Sequence, residues 1–216
     1  MTEKKWSGRT DAVKKQIKNI FSDVGGVLGT NGWDQNSRRK AAEQFNLDYD
    51  EFESYHKKVA ESFDAGSITL SQYLNATVFF EARSFSADSF FAFMKAQSQP
   101  NLDALDVMKA LKSTGKYRLA TINNESFELN DFRIKKFALS DCFELFFSSC
   151  YMGLRKPEPE IYRRALLISN CCAEESVFID DRQENLAAPI ELNMQTILFV
   201  DAQQLRDSLS ALGVDY

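Results

Sequence analysis

The stretch Ile20-Phe21-Ser22-Asp23-Val24-Gly25-Gly26-Val27-Leu28 decides the fold. Its first residues are apolar and read as a short buried strand, which Asp23 closes and two glycines follow at once. Open α/β sheets bind their ligands at the carboxyl ends of their strands, so a carboxylate here stands where a ligand sits. The glycines let backbone N–H groups approach a charged group, because no Cβ intervenes. Alone, a strand, an aspartate and a tight turn are common. Three more pieces follow in order: Asn123-Asn124 behind a second apolar run, Lys156-Pro157 behind a third and Asp180-Asp181 behind a fourth.

Outward from that stretch, β-rich runs at 18–23, 117–122, 144–148, 177–180 and 196–200 alternate with amphipathic segments at 102–112, 160–168 and 185–192. In the first of these segments the apolar residues are Leu102, Leu105, Val107, Met108 and Leu111. Strand–helix alternation at this spacing predicts a parallel sheet covered on both faces, the α/β class. Residues 32–99 break the pattern: they hold no strand signal and read as helices over 37–45, 49–62, 70–79 and 87–97. Acidic residues at 48–51 and Ser67 or Thr69 supply helix starts. The expected organisation is a core of 16–31 and 100–216, an inserted all-helical unit over 32–99, and a polar lead-in over 1–15.

The formal charge of -5 and pI near 5.1 give no electrostatic reason to expect nucleic acid or an anionic membrane as partner. Arg38-Arg39-Lys40 is short and reads as the solvated face of a helix, and Arg155 is also expected to face solvent. The first seven residues carry charge with no apolar run behind them, unlike a secretory signal. No apolar run approaches the ~20 residues that span a bilayer. Cys142, Cys150, Cys171 and Cys172 lack metal-ligand spacing, and one histidine, His56, poorly supplies a zinc site or a histidine triad. Reduced structural thiols and a cytoplasmic location are the expectation.

Two acidic clusters, a lysine and a polar amide are what magnesium-assisted phosphoryl transfer through an aspartyl intermediate requires. Adjacent carboxylates at Asp180-Asp181 repel unless a cation sits there, and hard oxygen ligands point to Mg²⁺. Pro157 and Pro159 fix a helix start, so Lys156 is held at that end.

In order and spacing these pieces resemble the haloacid dehalogenase superfamily, in particular its branch with a Gly-Gly-Val-Leu first motif and a small helical (C1-type) cap. The resemblance covers nearly all of the chain after the first fifteen residues. It extends to Asn31-Gly32-Trp33-Asp34 and to Gly66-Ser67-Ile68-Thr69-Leu70-Ser71-Gln72-Tyr73-Leu74. It implies a Rossmann-like three-layer core and hydrolysis of a small phosphorylated metabolite through an aspartyl phosphate. By the same resemblance Asp23 is the nucleophile, and Mg²⁺ is held by Asp23, the Gly25 carbonyl and Asp181. Lys156, Asn123 and Asn124 hold the phosphate, Asp180 orients Lys156 or a metal-bound water, and Asn185 braces the loop.

Two positions depart from the family. Most of its phosphatases carry a second aspartate, a general acid and base, where this chain has Gly25. That assistance is typically worth ~10²–10⁴ in rate, so its loss favours good leaving groups or water-borne proton transfer and argues against a phosphomutase. Asn123 stands where the family places Ser or Thr; its amide can donate to an oxyanion, and Thr121 is an alternative donor. Two other readings remain at this stage. One is a metal-free haloacid dehalogenase, which the acidic pair opposes; the other is a catalytically weak or non-enzymatic binding protein. His56 reads as a packed or surface residue on a helix of the insertion, whereas Trp33 and Asp34 either pack or line the cleft.

Overall fold

The computed structural model describes residues 15–215. The expected lead-in therefore falls almost wholly outside the described residues. In chain order the elements are β1 (Asn19–Ser22), α1 (Gln35–Phe45), α2 (Tyr49–Asp64), α3 (Leu70–Thr77), α4 (Ala87–Ala96), α5 (Leu102–Ser113) and β2 (Arg118–Asn123). There follow α6 (Phe127–Lys136), β3 (Leu145–Ser148), α7 (Ser149–Met152), α8 (Pro159–Ser169), β4 (Ser176–Asp180), α9 (Ala187–Glu191), β5 (Gln195–Leu198) and α10 (Ala202–Ala211).

The five strands form one parallel sheet in the order β3-β2-β1-β4-β5. Successive side chains alternate between its faces. Ile20, Leu119, Val177 and Ile179 pack under α5 and α10 with Met108, Leu111, Leu205 and Leu209. Phe21, Ala120, Ile122 and Phe178 pack under α8 and α9 with Ile161, Tyr162, Ala165 and Ala188. Burial on both faces is why the strands read as apolar runs rather than alternating ones. The order runs outward in both directions from β1, which puts the switch point of the crossovers, and hence the ligand crevice, at its carboxyl end.

After β1 the chain leaves the sheet through a neck in which Thr30 N–H donates to Gln99 O at 2.9 Å and Asn101 N–H donates to Leu28 O at 2.9 Å. Helices α1 to α4 lie beyond it, each with a side-chain cap: Asp34, Asp48, Thr69 and Ser86 accept from backbone N–H groups of their first turns. At α3, Gln72 completes a reciprocal capping box with Thr69. Their shared apolar cluster is aromatic, with Trp33, Phe52, Phe63, Tyr73 and Phe90 buried together and the Phe63 and Tyr73 rings stacked at 4.1 Å. No helix among the described residues is long and apolar enough to cross a membrane.

Two sequence expectations need correction. Arg38 is buried rather than solvated: its Nε and Nη2 pair with Glu53 at 2.7 and 3.0 Å, and its Nη1 donates to Trp33 O at 2.6 Å. A two-pronged pair between α1 and α2 satisfies both charges away from water. The helix expected from 185 begins at Ala187, after a 3₁₀ turn over Gln183–Leu186. Pro189 lacks an N–H and is tolerated only in a first helical turn, which sets the start.

Candidate active site

β1, β4 and β2 are neighbours, so Asp23, Asp180-Asp181 and Asn123-Asn124 emerge side by side at one edge of the sheet. Lys156 reaches the same place from the loop before α8. Its ammonium lies 2.8 Å from Asp23 Oδ1 and 2.6 Å from Asp180 Oδ2, and its side chain is 2% exposed. Burial lowers the lysine's pKa, but the two carboxylates outweigh it and the net shift is upward. Burial drives Asp23 up to about 7 against the pull of Lys156, with Asp180 adding to the rise. Asp23 Oδ1 also accepts from Val24 N–H at 2.7 Å. Both contacts fall on that one oxygen, which leaves Oδ2 for chemistry.

Asp180 is fully buried and engaged on both oxygens. It accepts from Lys156, from Arg182 N–H at 2.9 Å, and from Asn185 Nδ2 at 3.0 and 3.1 Å. Asp181 differs: Oδ2 accepts from Asn31 Nδ2 at 3.4 Å, whereas Oδ1 is buried without a partner among the described residues. Burial and Asp180 both raise its pKa. A Cβ on Gly26, whose φ is +78°, would lie 2.1 Å from Asp181 Oδ2, so this glycine makes room for the carboxylate.

The carboxylates of Asp23, Asp180 and Asp181 each offer an oxygen within 4.8 Å of the others. A buried oxygen without a donor, in an all-oxygen anionic cluster, is what a hard divalent cation satisfies. These residues fit such an ion.

The two asparagines are placed differently from one another. Asn123 is buried, donating through Nδ2 to Asn130 Oδ1 at 3.0 Å and accepting from Ser148 Oγ at 2.8 Å. Asn124 is tied to the backbone of Lys156. Thr121 Oγ1 is buried and has no partner among the described residues.

Above this edge lies a cleft of about 450 Å³ between the sheet and the inserted helices. Trp33, Asp34 and His56 line it. Trp33 Nε1 donates to the Tyr73 hydroxyl at 2.8 Å, and that hydroxyl is 2.9 Å from His56 Nδ1. An indole N–H only donates, so the tyrosine oxygen accepts from Trp33 and its own hydrogen is available to His56 Nδ1, the arrangement that matches the Nε2–H tautomer. Burial, aided by Arg38 and Lys57, holds the His56 pKa down at about 4.

Arg155 departs from the expected solvated position. Its guanidinium contacts Glu61 at 3.2 Å and Asp64 at 3.0 Å on α2, joining the loop before Lys156 to the inserted helices. Burial, with the negative charge of Glu125, pushes Asp64 up to about 6 despite Arg155. Arg38, Arg133 and Glu125 also line the cleft and no sequence motif marks them. Their partners come from other helices or loops, which spacing along the chain does not reveal.

The model of the haloacid dehalogenase-like hydrolase family matches residues 17–193. The chain belongs to this family. Among curated relatives, flavin mononucleotide hydrolase 1 of Arabidopsis thaliana is 29% identical over 76% of this chain and 65% of its own length. Bifunctional epoxide hydrolase 2 of Rattus norvegicus is 32% identical over 61% of this chain and 24% of its own. The chain thus spans under two-thirds of either relative. Among solved structures, a haloacid dehalogenase family enzyme from Bacteroides thetaiotaomicron, in complex with magnesium and inorganic phosphate, superposes with a TM-score of 0.71 at 23% identity, covering 86% of this chain and 95% of that one. A predicted hydrolase of the same family from Porphyromonas gingivalis gives 0.76 at 17% identity, over 94% and 100%. Both solved structures share the Rossmann-like fold of this chain.

Proposed function

We propose that this hydrolase cleaves a small phosphate monoester through an aspartyl phosphate, with Mg²⁺ as cofactor. One observation carries the reading: among the described residues Asp23 keeps one oxygen on Lys156 and the other free, beside an Asp181 oxygen that lacks a donor. Asp23, Asp181 and the Gly25 carbonyl are the groups to hold the ion. When bound, Mg²⁺ offsets the negative charge of the cluster and of the phosphate.

The chain's own residues then do the following. Asp23 Oδ2 attacks phosphorus, the ester P–O bond breaks, and the alcohol departs with a proton from water. Lys156 draws charge from Asp23 Oδ1 and, with the second amide hydrogens of Asn123 and Asn124, receives phosphate oxygens. Asp180, held by Asn185, fixes the lysine head. Water then opens the acyl phosphate and regenerates Asp23. Positioning and electrostatics supply most of the rate in phosphoryl transfer of this kind.

The related flavin mononucleotide hydrolase makes that nucleotide a first substrate to assay, beside sugar and aryl phosphates. Phosphate release from this panel is measured with and without Mg²⁺ for the parent and Asp23→Asn. Release that needs both the metal and Asp23 supports the assignment; equal activity of the two proteins removes it.

A further inference from the structure

The loop after Asp23 offers no side chain at position 25 to meet the departing alcohol. What occupies the adjoining space is a guanidinium. A Cβ built on Gly25 would lie 3.5 Å from Arg133 Nη1, ordinary contact distance. A Cβ on Gly32, whose φ is +66°, would fall 1.6 Å from Nη2 of the same group. Arg133 therefore reaches from α6 to a place that two glycines leave open.

Its hydrogen bonds fall on two of three nitrogens. Nε donates to Ser98 Oγ at 3.1 Å and lies 3.5 Å from Glu125 Oε2, and Nη2 donates to Thr30 O at 3.1 Å. Among the described residues Nη1 has no acceptor, although the side chain is only 2% exposed and lines the cleft. An arginine so thoroughly anchored holds one N–H edge in a fixed direction, and a fixed cation sheltered from water acts strongly on nearby charge.

We propose that Arg133 is a catalytic residue that receives the leaving oxygen through Nη1. The inference rests on the phosphatase reading above. As Asp23 Oδ2 bonds to phosphorus, the electron pair of the breaking P–O bond moves to the ester oxygen. Nη1–H donates a hydrogen bond to that oxygen and lowers the cost of its charge. Guanidinium stays protonated at all working pH values, so the proton that completes the alcohol comes from water. Gly25 is then the opening through which the alcohol side of the substrate meets the cation.

The test is the dependence of kcat/KM on leaving-group acidity, read over aryl and alkyl phosphates for the parent, Arg133→Lys and Gly25→Ala. Lysine lacks the fixed fork; Gly25→Ala keeps every bond of Arg133 and sets a methyl group against Nη1. Arg133→Lys is expected to lose ~10²-fold on alkyl esters and only a few-fold on nitrophenyl phosphate. Gly25→Ala is expected to lose about tenfold on alkyl esters, following the same pattern. Added guanidinium chloride at low concentration should restore alkyl-ester cleavage to Arg133→Ala. If Arg133 variants do not fold, the Gly25→Ala series decides. Equal losses across the series would overturn the role of Arg133 while leaving the Asp23 mechanism intact. Absence of Asp23-dependent phosphate release from the parent would overturn both.

Discussion

Asn124 and Lys156 are bonded in both directions: Asn124 Nδ2 donates to the Lys156 carbonyl at 2.9 Å, and Lys156 N–H donates to Asn124 Oδ1 at 2.9 Å. This pair mimics two rungs of a strand ladder and ties the end of β2 to the loop before α8. The lysine head is thereby set from its own backbone as well as from Asp180.

Asn124→Ala removes both bonds and leaves a partly buried carbonyl and N–H without partners. Stability should fall by roughly 2 kcal/mol, from about 1 kcal/mol per lost bond. Phosphate release should fall further than that loss explains, because Lys156 is no longer indexed to Asp23. Urea unfolding and kcat/KM on the same protein measure the two effects.

Lys156→Met leaves Asp23 and Asp180 facing one another in a buried site with no cation between them. Breaking one partner from a buried ionic group typically costs about 3–5 kcal/mol. Mg²⁺ should restore part of that stability, since it binds the same carboxylates. A thermal melt whose midpoint ignores Mg²⁺ would count against a shared cluster. Activity should be abolished with or without the metal.

Gly26→Ala sets a methyl where Asp181 now lies and strains a backbone at φ +78°. Asp181 has to move, and Mg²⁺ affinity should drop by about 10–100-fold, as when groups that orient a metal ligand are lost. Calorimetric titration of Mg²⁺ into parent and variant reads this directly, without need of a substrate.

His56 is held neutral to about pH 4, whereas the unfolded chain takes up a proton near 6.5. Above pH 6.5 neither state is charged and its stabilising contribution is complete. As pH falls from 6.5 to 4 the unfolded state gains protons first, and stability declines by up to about 3 kcal/mol at ~1.4 kcal/mol per unit. Asp64 works in the opposite direction, because its folded pKa is raised to about 6 and its neutral form is favoured. Comparing urea unfolding of the parent with His56→Asn between pH 4 and 7 isolates the histidine. An identical pH slope in both proteins would refute the assignment.

The central strands β1, β2 and β4 were legible because each is an apolar run closed by polar residues, and burial on both faces demands that pattern. Observed strands begin and end within two residues of the expected positions. Helices α1 to α4 were legible for a complementary reason: from 32 to 99 the helix caps and aromatic spacing contain no competing strand signal. The partners of individual site side chains were not legible. Asn123 meets Asn130 and Ser148, Arg38 meets Glu53, and Arg155 meets α2, all through side-chain geometry that composition does not encode. Helix α6 was also missed, since its Phe127, Leu129, Phe132 and Ile134 fall on opposite sides of a helix rather than along one stripe. With α6 unseen, Arg133 had no location.

The tyrosine at position 73 owns a single mobile hydrogen, and the indole beside it dictates where that hydrogen points. The imidazole on the cleft wall is thus coupled through one hydroxyl to the buried aromatic cluster of the inserted helices. Replacing Tyr73 with Phe would leave the surface residues unchanged and still release the ring to adopt either tautomer.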